Sequence, residues 1–151
     1  MIIRIELDER LEEDEVLIRC KELNESIRRI QKLATDINNQ TNLRFYKDNV
    51  EYYLSLDSVL FFETSGGTIY AHTADNMYNV KNKLYELEEL LPDIFIRVSK
   101  STILNVIHIY SLEKNITSSS LARFNGTHKQ VYVSRNYYKA LRQRIDEKRK
   151  S

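Results

Sequence analysis

The sequence has no tryptophan, one cysteine, one proline and three glycines in 151 residues. A lone cysteine, Cys20, excludes an internal disulfide framework and a cysteine-based zinc site, and points to a reducing cytoplasm as the compartment. Uncharged apolar runs are only a few residues long, which excludes a transmembrane helix. The opening Met1-Ile2-Ile3-Arg4, followed by acids, lacks the form of a signal peptide. His72, His108 and His128 share no ligand spacing, and His108 sits in an apolar strand where a packed imidazole is expected. P-loop, dinucleotide glycine fingerprint and nucleophile elbow are all missing; Gly66-Gly67 lacks the Lys-Ser/Thr that a phosphate cradle needs. Glu86, Glu88 and Glu89 are expected on an exposed, solvated helix face. The sequence therefore predicts no enzyme, no metal, no cofactor and no small-molecule substrate.

What is present is a soluble globular composition, 42% apolar and 30% charged, in a chain long enough for one unstapled core. Its distribution is uneven. All 10 Tyr and 5 Phe lie between Phe45 and Tyr138. Residues 1–40 carry 7 basic and 10 acidic side chains, residues 45–96 carry 3 and 9, and residues 97–151 carry 12 and 3. The formal charge of +1 thus conceals a basic final third. Such a third is either a footprint for a polyanion or a solvated face with acids folded against it.

A boundary falls near residues 38–42. Ile2–Leu7 and Val16–Ile18 read as short strands, and Leu23, Ile27, Ile30, Ala34 and Ile37 recur at helical a/d spacing. That stripe either packs on its own domain or joins two copies. Asn38–Asn42 reads as a linker. From Leu43 the texture is mostly β. Strands are predicted at 43–46 and 52–54 around Asp48-Asn49, at 59–62 and 68–73 around Ser65-Gly66-Gly67, and at 95–98, 107–112, 121–124 and 130–133. Val80, Leu84, Leu87 and Leu91 predict a helix stopped by Pro92, and a last helix spans about 135–149 with Ser134 as N-cap.

Three polar elements could form a surface for DNA. The turn around Gly67 and Thr68 offers hydroxyls and closely approachable backbone N–H groups. Arg97-Val98-Ser99-Lys100-Ser101-Thr102 is a basic, hydroxyl-rich junction. Ser134-Arg135-Asn136 opens a helix with the two side-chain types best suited to guanine and adenine edges.

Leu56–Glu63, Leu84–Leu91 followed by Phe95–Asn105, and Val131–Tyr137 together resemble the ordered motifs of the LytTR-type DNA-binding domain of bacterial transcription regulators, over about residues 43–145. The resemblance implies an elongated, mainly β module whose loops enter successive DNA grooves. Its groove readers would fall at Lys100 and Arg135, with a third contact from Gly67-Thr68; Arg97, Ser99, Ser101, Ser134 and Asn136 flank them. Ser99 stands where the family often has His, and the first loop carries no basic side chain. The expected layout is a mainly β fold with a few helices: a short β-β-α dimerisation or regulatory segment at 1–40, then the LytTR-like domain at 43–148. Forty residues cannot hold a receiver domain, so the chain resembles small stand-alone members, some of which answer to a partner membrane protein.

The leading expectation is a homodimeric, sequence-specific regulator of double-stranded DNA. The alternative is a protein-interaction module that captures a regulatory partner through its N-terminal segment. A single-strand binder stacking bases on tyrosines is a third reading, opposed by the placement of those tyrosines on alternating strands.

Overall fold

The computed structural model describes residues 1–39 and 43–149. Residues Met1–Asn38 and Asn39–Ser151 form separate units. The expected linker falls largely outside the described residues.

In the first unit the regular element is helix α1 (Glu25–Asn39). Asn24 starts it: the side-chain oxygen accepts the Ile27 N–H at 3.0 Å and the carbonyl accepts the Arg28 N–H at 3.0 Å. Along the apolar stripe Ile27 is buried, Ile30 and Ala34 are half-buried, and Leu33 and Ile37 remain exposed. Leu23 precedes the helix and is exposed, so it is not part of the stripe. The two expected strands do not form. Ile2–Leu7 and Val16–Ile18 form no strand pairing among the described residues, and Ile2, Ile3, Ile5, Leu7, Val16 and Leu17 are all exposed. Their alternation suits a half-buried strand, but a strand needs a neighbour for its backbone groups and a surface for its apolar face.

The second unit is built from two antiparallel sheets. Its strands are β1 (Phe45–Lys47), β2 (Val50–Tyr52), β3 (Phe61–Ser65), β4 (Thr68–His72), β5 (Met77–Val80), β6 (Phe95–Arg97), β7 (Thr102–Asn105), β8 (Ile109–Glu113), β9 (Ser120–Phe124) and β10 (Gln130–Val133). The seven-stranded sheet runs β2-β1-β5-β4-β3-β7-β6 and the three-stranded sheet β10-β9-β8. Helix α2 (Leu84–Leu90) lies between β5 and β6 in sequence, and α3 (Arg135–Arg149) closes the chain.

The apolar run Val59-Leu60-Phe61-Phe62 explains the layering. Val59 and Phe62 join Phe45, Tyr78, Leu87, Phe95 and Ile103 in one core; Leu60 and Phe61 join Val98, Leu104, Phe124, Val133 and Leu141 in another. Phe61 and Phe62, the first residues of β3, face opposite sides as strand neighbours do, so the large sheet is covered on both faces, while Val59 and Leu60 precede the strand and divide between the same two cores. Helix α2 supplies Leu84 and Leu87 to the first core, while the small sheet and α3 supply most of the second. Phe61 stacks on Phe124 at 5.6 Å and on His72 at 4.3 Å, joining the sheets. Buried Asn105 donates to the Val59 carbonyl at 3.0 Å and accepts from the Ile107 N–H at 3.1 Å, so its amide is paired at both ends.

Val80 belongs to β5 rather than to a helix. Tyr78 and Val80 alternate inward with period two, and α2 starts only at Leu84, where Glu86 accepts the Lys83 N–H at 3.1 Å. The turns match their residues. Asp48 and Asn49 take φ of 50° and 66° between β1 and β2, and Gly66 and Gly67 take 58° and 80° between β3 and β4. Two successive residues at positive φ suit the strand twist of a two-residue hairpin.

Candidate nucleic-acid interface

Register brings the three polar turns together. Glu63 of β3 pairs with Thr102 of β7, so the β3–β4 hairpin tip runs beside the β6–β7 connection. There the Thr64 N–H donates to the Ser101 carbonyl at 2.8 Å. One turn further on, the Ser134 N–H donates to the Val98 carbonyl at 2.9 Å, fixing the start of α3 against the same connection. Gly67-Thr68, Ser99-Lys100-Ser101 and Ser134-Arg135-Asn136 are therefore tied in order by main-chain bonds.

Each element presents a different chemistry. Nothing lies within 4 Å of where a Cβ would sit on Gly66 or Gly67, so the positive φ, not crowding, requires glycine, and the backbone there is open to approach. Lys100, Arg135 and Asn136 are exposed, whereas Ser99 and Ser134 are half-buried. The Ser99 hydroxyl accepts the Ser101 N–H at 3.2 Å and lies 3.3 Å from the Ser101 hydroxyl. Among the described residues, neither the Lys100 ammonium nor the Arg135 guanidinium has a protein partner. Arg135 begins a helix, where the macrodipole disfavours a cation by about 0.3–1 kcal/mol.

Arg97 stands apart from the others. Its Nε donates to the Ser99 carbonyl at 3.0 Å, Nη2 to the Lys100 carbonyl, and Nη1 to Glu88 at 2.9 Å. The guanidinium is held beneath the turn by the protein itself. Glu88 is correspondingly not simply solvated, contrary to the expectation for the acidic face of α2.

Two serines escaped the sequence reading. Ser118 and Ser119, at the β8–β9 connection, line an open depression with Ser134, Arg135 and Asn136. The connection is organised by Asn115, whose side chain accepts from the Thr117 N–H at 3.2 Å and whose N–H donates to Ser120 Oγ at 3.1 Å. Lys114 lies 5.3 Å over the Tyr138 ring, linking this hairpin to α3. The available signal was the hydroxyl run Thr117-Ser118-Ser119-Ser120 behind an asparagine.

A part-buried polar knot centres on His72. His72 Nε2 meets Glu63 at 2.7 Å, and Nδ1 meets the Lys129 ammonium at 3.3 Å. Lys129 also donates to the carbonyls of Thr73 at 2.9 Å and Asn76 at 2.8 Å. An ammonium only donates, so Nδ1 accepts and Nε2 carries the proton given to Glu63. Burial holds the His72 imidazole below its ordinary range against the opposing pull of Glu63, and burial likewise lowers the Lys129 ammonium. His108, expected to be packed, is half-buried and bonds the Asp57 carbonyl. No group of three or more His, Cys, Asp or Glu among the described residues could hold a metal ion. None of their helices is long and apolar enough to cross a membrane.

Two antiparallel sheets presenting a row of polar turns with unpaired cations define a β-scaffolded, loop-presenting module. The chain belongs to the LytTr DNA-binding domain family, which matches residues 50–146. A solved chain from Bacillus cereus, described as a LytTr DNA-binding domain, is 25% identical with a TM-score of 0.63, covering 70% of this chain and 97% of that one. Among curated proteins, an HTH-type transcriptional regulator of Staphylococcus aureus strain NCTC 8325 is 28% identical over 128 residues, 85% of this chain and 86% of its own. One from strain MRSA252 is 27% identical over the same length. That length exceeds the Asn39–Ser151 unit, so the similarity takes in part of the N-terminal segment.

Proposed function

We propose that the chain is a sequence-specific, double-stranded DNA-binding transcription regulator that works as a cytoplasmic homodimer and performs no catalysis. Lys100 and Arg135 read or clamp successive grooves, the Gly67-Thr68 backbone supplies the third contact, and Ser99, Ser101, Ser134 and Asn136 position the duplex through phosphates and base edges. Arg97 acts from beneath the turn. The observation that supports this reading is the pair of main-chain bonds, Thr64 to Ser101 and Ser134 to Val98, which tie the backbones of the three polar segments to one another. Entry by loops is favoured over a recognition helix because five strands separate α2 from α3, leaving no helix-turn-helix pair in this unit among the described residues.

Selection of bound duplexes from a random pool, followed by titration of a selected and a scrambled duplex, tests the reading. A regulator retains its preference for the selected duplex as salt weakens both. Equal affinity for both at every salt concentration would reduce the protein to a nonspecific polyanion binder. A second role follows from the exposed apolar residues of the first unit: residues 1–40 capture a second copy or a regulatory partner, including a membrane protein. Pull-down with and without that segment separates this role from DNA binding.

A further inference from the structure

We propose that Glu88 is a positioning residue for DNA binding, holding the Arg97 guanidinium under the Ser99–Ser101 turn and thereby setting Lys100 for its contact. The proposal rests on the DNA-binding reading above.

Helix α2 is anchored by Leu84 and Leu87, both buried in the first core, which leaves Glu88 at a fixed place on its outer side. From there its carboxylate takes the Arg97 Nη1 at 2.9 Å; the Arg97 side chain is 22% exposed and that of Glu88 50%. The other edge of the guanidinium serves the turn, with Nε on the Ser99 carbonyl and Nη2 on the Lys100 carbonyl. β6 and β7 pair up to Arg97 and Ile103, and the Val98 N–H closes on the Thr102 carbonyl at 3.0 Å. Beyond that point the turn has no ladder. Its carbonyls at 99 and 100 depend on the planar fork of Arg97, whose donors are rigidly spaced. Glu88 fixes the fork from the far side and balances its charge.

This assignment and simple repulsion predict opposite results. Removing an acid beside an anion-binding surface strengthens binding to all DNA alike. Removing the anchor of Arg97 loosens the turn that carries Lys100 and frees a cation to find phosphates anywhere. Preferred binding then falls while random binding holds or rises. A half-exposed ion pair sets the size of the loss at about two- to five-fold.

Fluorescence anisotropy of the full chain on a pool-selected and a scrambled duplex decides between these outcomes. Glu88→Ala is expected to weaken the selected duplex by about two- to five-fold, leave the scrambled duplex unchanged or tighter, and have no further effect in a Lys100→Ala background. Glu88→Gln, which keeps an acceptor of the same shape, is expected to fall between wild type and Glu88→Ala. Equal tightening on both duplexes, unaltered preference, or effects that simply add to those of Lys100→Ala would overturn the proposal. If wild type itself shows no preference, the DNA-binding reading falls and this one with it. If wild type discriminates and the two substitutions add, only the role of Glu88 falls.

Discussion

Replacing Arg135 with alanine removes a side chain that the fold does not use. The guanidinium is exposed and has no partner among the described residues. Its position at the first residue of α3 is mildly unfavourable for a cation. Surface changes of this kind move stability by no more than about 0.5 kcal/mol, and relief at the helix start acts in the stabilising direction. The melting temperature of Arg135→Ala should therefore be unchanged or slightly raised. DNA binding should respond very differently. A bidentate contact to guanine contributes about 1–3 kcal/mol of discrimination, which is a loss of roughly five- to 150-fold on the preferred duplex. Scrambled DNA should lose only the share due to charge, with the salt slope falling by about one unit. Anisotropy titrations at several salt concentrations, paired with thermal melts, measure all of these quantities. Equal losses on preferred and scrambled duplexes would refute base reading and reduce Arg135 to a phosphate contact. A large drop in melting temperature would refute the premise that the fold leaves the side chain free.

Lys100→Ala, if Lys100 meets only a phosphate, should weaken all duplexes alike and lower the salt slope by about one unit; a sequence-dependent loss would make it a base reader. The α1 stripe is best tested where it is exposed: Leu33→Asp with Ile37→Asp should halve the sedimenting mass without loss of helix signal, and an unchanged mass would place any dimer contact elsewhere. The pKa of His72 is depressed in the folded protein, so its neutral form contributes stability that is complete above about pH 6.5 and declines as pH falls below that value. His72→Gln should flatten that acid-side decline in denaturant midpoints, and parallel curves for the two proteins would show that other groups cause it.

Local chemistry made a good part of this molecule legible in its sequence. Gly66-Gly67 and Asp48-Asn49 announce tight hairpins because few residues tolerate successive positive φ, and Pro92 ends α2 because it has no N–H to donate. The unbroken apolar run at 59–62 marks a strand buried on both faces, and the motifs around it carry the family, whereas β7, buried along its whole length, lies outside the strands that the sequence predicts. Helix α3 begins at Arg135, directly after the Ser134 expected as its N-cap. The remainder depended on partners distant in the chain. Ile2–Leu7 has a strand's alternation but forms no strand among the described residues, and Val80 fits a helical stripe yet is claimed by the Ile69–Val80 pairing of β4 with β5. Glu88 looked like one acid among several until β6 brought Arg97 beside α2. The bonds from Thr64 to Ser101 and from Ser134 to Val98 likewise exist only once the sheets are in register. Torsional preference and periodicity act over a few residues, whereas strand pairing and the orientation of a guanidinium are settled by whichever groups the completed fold sets opposite them.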